Sequence, residues 1–518
     1  MTNVLFFSIF FLPSPSIFQI ICHFLSIYNK SRASREAIYK FYSTDMLLGF
    51  IVIYLAVTVL IGWWSARFVK NTSDFVVGGR KMPLIVVASG LFATWFGSET
   101  VMGASSEFTE KGLLGVIEDP FGAALCLFLI GFFMARPLYR LNLYTFSDYF
   151  EQRYGRKAET LSAVMMIPSY FGWIAAQLLA LATVLNVVTQ GAVPVMWGVC
   201  LCSLVVMFYT YVGGMWAVSI TDFVQTMMII AGMIVLLIVV VGDAGGFQKV
   251  ISQTPEGFFR ITPKEWTFHS SMEYLAAWIT VGLGSVPQQD VFMRVMSAKS
   301  EKTAVNAAFL SSGMYLSIAF IPLFIALCGK ILYPELANGT DTERQMMIPQ
   351  MVLQHGSLWL QILFLGALIS AILSTASGAI LAPATVIGEN IVKPLRKDMT
   401  DRQLLFVMRA AVVFITIASV LFATFQQNIY ELVSQSSAIS LVSLFVPLVA
   451  GLYWKRANSH GAIGSMLLGF TAWILVEVLQ AKNEALAKSL HLDFPTILYG
   501  LAVSVLSMII LSIIFEKE

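Results

Sequence analysis

Long apolar runs alternate with short connections that are polar or basic. A run of about 20 apolar residues is long enough to cross a bilayer as a helix. Hydropathy places such runs at 46–66, 83–105, 115–135, 160–188, 194–211, 216–241, 272–295, 304–329, 357–385, 403–424, 430–452, 460–480 and 495–515. These thirteen spans predict an all-α polytopic membrane protein. Residues 3–28 are also apolar, but Pro13 and Pro15 interrupt them, and they lack the basic leader of a signal peptide. Residues 1–45 are therefore read as an extension upstream of a protein that starts near Met46.

Basic residues orient the spans. The loops after odd-numbered spans carry Arg67, Lys70, Arg80 and Lys81; Arg136, Arg140, Arg153, Arg156 and Lys157; Arg294, Lys299 and Lys302; Lys393, Arg396, Lys397 and Arg402; and Lys455 and Arg456. Basic loops stay on the cytoplasmic side. Span 46–66 thus begins outside and Glu518 lies inside, as expected of a multi-pass protein of the cell (inner) membrane. Lys30, Arg32, Arg35 and Lys40 break the pattern, in keeping with the separate status of 1–45.

Two spans are interrupted. "TWFGSE" sits at the centre of span 83–105, and "GLGSVPQQD" (282–290) runs through span 272–295. Glycine and proline at membrane depth free backbone groups that lipid cannot satisfy, so such breaks belong where they line a cavity. The first opens a set of five spans (83–241) and the second opens another five (272–452). Residues 46–82 and 453–518 flank the two sets. An odd number of crossings inverts the second set, and paired broken helices in two halves point to a secondary transporter's binding site. The alternative is a pair of kinked helices with no ligand.

Two further stretches carry polar groups at membrane depth. In "ALISAILSTASGAILAPAT" (367–385), Ser370, Ser374, Ser377 and Thr385 recur at helical spacing, and Thr375 adjoins Ser374. Small residues there serve helix packing; alternatively, the hydroxyls supply oxygen ligands to a hard cation, by analogy with divalent sites. Asp222 lies within span 216–241, where an acid is a functional candidate or a group hydrated near the interface.

Composition agrees with this class and narrows it little further. The chain is 58% hydrophobic and 12% charged, well below the roughly one-quarter charged content of soluble domains. A formal net charge of +2 gives no field to attract nucleic acid. Cys22, Cys126, Cys200, Cys202 and Cys328 lie in or beside apolar runs and define neither a disulfide framework nor a metal cluster. No HExxH, GxSxG or paired-aspartate arrangement suggests an enzyme.

The chain resembles the sodium:solute symporter family, which includes sodium/proline, sodium/sugar and choline transporters. The matching stretches are "DFVVGGRKMP" (74–83), "ATWFGSETVMG" (93–103), "YTYVGGMWAVSITDFVQ" (209–225), "PQQDVFMRVMSAKS" (287–300) and "ILSTASGAIL" (372–381). They occur in family order from about residue 46 onward. The resemblance implies an inverted-repeat, five-plus-five helical core with peripheral helices. It also implies a sodium site between the first and eighth core helices. That site would comprise the carbonyls of Ala93, Phe96 and Ala371 and the hydroxyls of Ser374 and Thr375. Asp222 matches the aspartate used by relatives with a second sodium.

The solute is then expected beside the ion. Candidate contacts are Trp95, Gly97, Ser98, Glu99 and Thr100 from the first broken helix, and Gln288, Gln289 and Asp290 from the second. Asp119, in "GVIEDPFG", reaches the outer side of the cavity, or else Glu118 and Asp119 are ordinary acids at a helix end. Glu99, Asp119 and Asp290 have no lysine or arginine at similar depth, with Arg294 read near the cytoplasmic end. Carboxylates near an aromatic ring suit an amine or a zwitterion. "ATWFG", "FFMARPLYR" and "HGAIGSMLLG" look closest to the choline branch. The expected function is sodium-coupled import of a small polar solute by alternating access, with no cofactor. The alternatives are a transporter-fold sensor or a channel. The chain given ends soon after its last span, so no attached signalling domain is expected.

Overall fold

The computed structural model describes residues 72–396, 398–482, 490 and 492–515, with scattered positions between 49 and 67. The expected extension 1–45 and most of span 46–66 lie outside them. The described chain is almost entirely helical. Its principal helices are α1 (Leu84–Lys111), α2 (Leu113–Leu141), α3 (Arg156–Val188), α4 (Val195–Tyr211) and α5 (Val218–Asp243). Next come α6 (Phe268–Gly284) and α7 (Gln289–Met296). The series continues with α8 (Glu301–Leu332), α9 (Leu358–Leu395), α10 (Asp401–Ala423), α11 (Ile429–Tyr453), α12 (Ser459–Lys482) and α13 (Thr496–Ile514).

Ten of the thirteen expected spans coincide with long apolar helices. Among the described residues, ten helices are long and apolar enough to cross a membrane. The expected span 194–211 is the shorter helix α4, and span 272–295 is divided into α6 and α7 around Ser285–Gln288. Hydropathy registers apolar content and does not see where the backbone hydrogen-bond ladder is interrupted. Helical backbone runs on from Val195 to Asp243, yet Tyr209 Oη lies 3.4 Å from Thr221 Oγ1. Twelve residues of straight helix would separate those positions by about 18 Å. The chain therefore turns sharply between α4 and α5.

The distribution of side chains is that of a protein whose solvent is lipid. Phe414, Ile417 and Leu421 on α10 and Ile510, Ile513 and Ile514 on α13 are each at least half exposed. Inside, Ser370, Ser374 and Thr385 on α9 are fully buried. Apolar residues face outward at no cost in hydrocarbon, while hydroxyls find partners only within the bundle. Helices α1, α3, α5 and α9 pack together at the centre, and α12 and α13 pair at the periphery.

Small residues permit the closest crossings. A Cβ added to Gly284, at the end of α6, would lie 2.3 Å from the Ser437 carbonyl oxygen of α11. Backbone cannot yield there as a flexible side chain would. Gly284→Ala is expected to lower stability by about 1–3 kcal/mol. Gly313→Ala, where nothing lies within 4 Å, serves as its control. Thermal unfolding in detergent checks this, and equal melting temperatures for wild type and Gly284→Ala would argue against so tight a crossing.

Candidate ion and solute site

The first helix breaks where the sequence places glycine among polar residues. Regular α-helix ends at Ala93, and Gly97 has φ −176° and ψ −101°, outside the helical region. The N–H of Gly97 donates to Trp95 O at 2.9 Å. In a continuous helix it would bond Ala93 O. That freed carbonyl instead accepts a hydrogen bond from Thr375 Oγ1 of α9 at 3.0 Å. Beyond the break, Ser98–Ala104 continues in wider π-type turns.

A row of hydroxyls on α9 faces α5 and the break. Ser374 Oγ donates to Asp222 Oδ1 at 2.7 Å and lies 3.3 Å from Thr221 Oγ1. One turn earlier, Ser370 Oγ accepts from Gln225 Nε2 at 2.6 Å. Ala93, Ala371, Ser374, Thr375 and Asp222 are all buried, and Phe96 is buried among the rings of Phe92 and Tyr315. Residues far apart in the chain thus bring carbonyl, hydroxyl and carboxylate oxygens to one junction of α1, α5 and α9.

The structure gives Arg294 partners that the sequence reading did not. Its guanidinium is buried between two acids, with Nη2 at 3.4 Å from Asp222 Oδ2 and Nη1 at 3.6 Å from Asp290 Oδ2. Gly90 on α1 and Gly378 on α9 leave room for it: a Cβ at Gly378 would stand 3.2 Å from Nη2. The long side chain turns inward because two buried carboxylates need a counter-charge more than the arginine needs the interface. Asp290 therefore has a basic partner, contrary to expectation. Its Oδ1 also accepts from Tyr170 Oη at 2.7 Å.

The remaining expected solute residues divide into groups. Glu99 accepts hydrogen bonds from Trp173 Nε1 and, at 3.4 Å, from Gln177 Nε2. Thr100 Oγ1 donates to Asp119 Oδ2 at 2.8 Å and meets Tyr315 Oη at 2.5 Å. Glu99 and Asp119 line a narrow cavity together with Glu118, Tyr430 and Ser434, with a volume of about 10 Å³, room for a single water. Ser98 Oγ is buried without a hydrogen-bond partner, as is Gln288 Oε1 at the other break. Trp95 packs edge-on to Tyr315. The Gln289 amide points elsewhere: its oxygen accepts from Phe146 N at 2.8 Å and its nitrogen donates to Tyr144 O at 2.9 Å.

Sequence reading missed Tyr170, Trp173 and Gln177, the α3 partners of Asp290 and Glu99. They lie at i, i+3 and i+7, one face of a helix, and that spacing is the signal that could have found them. Asp290 and Arg294 likewise stand at the i, i+4 spacing that allows pairing on a helix.

This geometry sits in a chain with clear relatives. The profile described as "Sodium:solute symporter family" matches residues 75–469. The high-affinity choline transporter 1 of Torpedo marmorata is 27% identical over 447 residues, which is 82% of this chain and 75% of that protein. The sodium/proline symporter of Escherichia coli is 26% identical over 447 residues, covering 82% of this chain and 86% of the symporter. A substrate-bound, outward-open structure of a Na+-coupled sialic acid symporter aligns with a TM-score of 0.75 at 20% identity, over 92% of this chain and 98% of that one. This last likeness speaks to the fold, an inverted-repeat, five-plus-five helical transporter core. The chain belongs to the sodium:solute symporter family and is a multi-pass membrane protein that couples solute transport to sodium.

Proposed function

We propose that the protein imports a small organic amine or zwitterion together with sodium, across the cell membrane, with its basic loops and C-terminus in the cytoplasm. The observation that carries the ion site is the Thr375 hydroxyl at 3.0 Å from the Ala93 carbonyl, which the helix break releases. In this reading sodium binds among the carbonyls of Ala93, Phe96 and Ala371 and the hydroxyls of Ser374 and Thr375. Ser374 donates its proton to Asp222, which leaves its lone pairs for a cation. With sodium present, Thr375 turns its lone pairs to the ion in place of its hydrogen bond to Ala93. Asp222 orients Ser374, and Arg294 balances its charge.

The solute occupies the space beside the break. Glu99 and Asp119 attract an ammonium group, and Gln288, Ser98 and Thr100 offer further polar contacts. Residues 83–241 and 272–452 are the two repeats, and 46–82 and 453–518 are peripheral. Sodium ties α9 to the broken α1, completes the solute pocket, and so raises solute affinity; reciprocity requires that solute raise sodium affinity equally. Rocking of the repeats then opens the site inward. Each sodium entering a negative cytoplasm draws about 2.3 kcal/mol per 100 mV.

Purified protein in proteoliposomes tests this with a panel of amines, amino acids, sugars and carboxylic acids under an inward sodium gradient. At least one amine or zwitterion is expected to accumulate, and dissipating the gradient should abolish accumulation. Sodium-driven uptake confined to sugars or anions would remove the solute assignment.

A further inference from the structure

The hairpin that joins α9 to α10 carries an open groove of about 810 Å³, beyond the end of α9 and well past Ser374 and Thr375. Arg396, just after α9, and Arg402, in the first turn of α10, both line it and are exposed. Asp398 is the acid among its lining residues. Among the described residues neither guanidinium has an ion-pair partner, whereas the neighbouring Lys393 holds Glu389 at 2.5 Å. Arg396 suits the C-terminal end of a helix, but a cation in the first turn, such as Arg402, opposes the helix dipole. Nor does α10 need Arg402 as a cap, because Thr400 and Gln403 already form a capping box there. Two unpaired guanidiniums against one carboxylate leave the groove with an excess of positive charge.

Apolar side chains border the same groove. Leu395 is 80% exposed and Phe406 is 69% exposed. Phe406 stands one turn beyond Arg402 on the same face of α10, and Phe414, Ile417 and Leu421 continue that exposed face. From Phe406 to Leu421 the helix rises about 22 Å, more than the roughly 15 Å that half of a bilayer's hydrocarbon core occupies. A free anion would use the guanidiniums and leave these apolar surfaces idle, whereas an amphiphile with an anionic head uses both. Phosphate oxygens match guanidinium forks bidentately. Basic pockets beside spanning helices on the cytoplasmic side, where the proposed orientation puts this hairpin, suit anionic headgroups.

We propose that this groove is a binding site for an anionic phospholipid. Its phosphate lies between Arg396 and Arg402, and one acyl chain runs past Phe406 along the exposed stripe of α10.

The test is native mass spectrometry of the purified full chain in detergent, at fixed ionic strength. Phosphatidylglycerol and phosphatidylcholine with identical acyl chains are the probes. Phosphatidylglycerol is expected to bind at least about tenfold more tightly. Arg396→Gln with Arg402→Gln should reduce that preference to less than about threefold. Lys299→Gln with Lys302→Gln, at exposed lysines of another basic loop, should leave it intact. Glycerol 3-phosphate should not displace the bound lipid. Equal binding of the two lipids, an unchanged preference in the arginine variant, or an equal loss in the lysine variant would overturn the site. Displacement by glycerol 3-phosphate as readily as by the lipid itself would assign the groove to a free phosphate and overturn the lipid assignment.

Discussion

Replacing Ser374 and Thr375 together by alanine is expected to raise the sodium concentration for half-maximal uptake by about tenfold or more. The two hydroxyls are two of the five neutral oxygens assigned to the ion, and a polar contact of this kind contributes about 1 kcal/mol net. Losing both exceeds the roughly 1.4 kcal/mol that corresponds to tenfold in affinity. The geometry makes the pair non-redundant: Thr375 reaches α1 at Ala93 O, and Ser374 reaches α5 at Asp222. Ser370→Ala is the control. Its hydroxyl lies one turn away and accepts from Gln225, so its sodium dependence should match wild type. Uptake measured against sodium concentration decides the matter, and an unshifted curve for the double variant would remove both residues from the ion site.

Arg294→Met should be the most destabilising single change at the centre of the protein. It leaves Asp222 and Asp290, each 1% exposed, without their shared cation. Breaking a buried pair from one side costs on the order of 3–5 kcal/mol, because the remaining charge is uncompensated. Here one arginine serves two acids, which places the effect toward the upper end. Neutralising the partners should restore much of the loss: Arg294→Met with Asp222→Asn and Asp290→Asn is expected to melt above Arg294→Met alone. Such non-additivity is the mark of residues in one network. Thermal unfolding of purified protein in detergent measures it. A single variant that melts like wild type, or a triple variant no better than the single, would mean that the guanidinium is not the counter-charge of these acids.

Much of the architecture was legible along the chain because it follows from local composition. Apolar runs long enough to span a bilayer predicted the helices, and the described ones lie at the expected positions. Both breaks were visible as glycine and polar residues at membrane depth, and the structure places non-helical backbone at Gly97 and between Gly284 and Gln289. The Ser374–Thr375 pair stood out for a similar reason, since hydroxyls in an apolar helix need partners. The division of span 272–295 was visible only in part. Hydropathy could show that Gly, Ser and Pro interrupt it, but not that the span would divide into two helices around Ser285–Gln288.

Partnership between distant residues was not legible, and there the sequence reading erred. Arg294 follows the second break by little more than a turn, so its position suggested the cytoplasmic end; its side chain instead reaches back to Asp290 and across to Asp222. Glu99 and Asp119 looked alike as intramembrane acids. In the structure Glu99 meets Trp173 and Gln177 from α3, whereas Asp119 keeps one buried oxygen unpaired. Whether a residue prefers lipid or water is a property of its own side chain, and a run of such preferences specifies a spanning helix without reference to the rest of the chain. Whether a buried charge is balanced depends on distances of a few ångströms between residues 70 or more positions apart, such as Asp222 and Arg294. The sequence by itself therefore determined that this is a membrane transporter with two broken helices, and only the packing of α1, α3, α5, α7 and α9 decided which of its buried acids share the Arg294 cation and which are held by neutral donors alone.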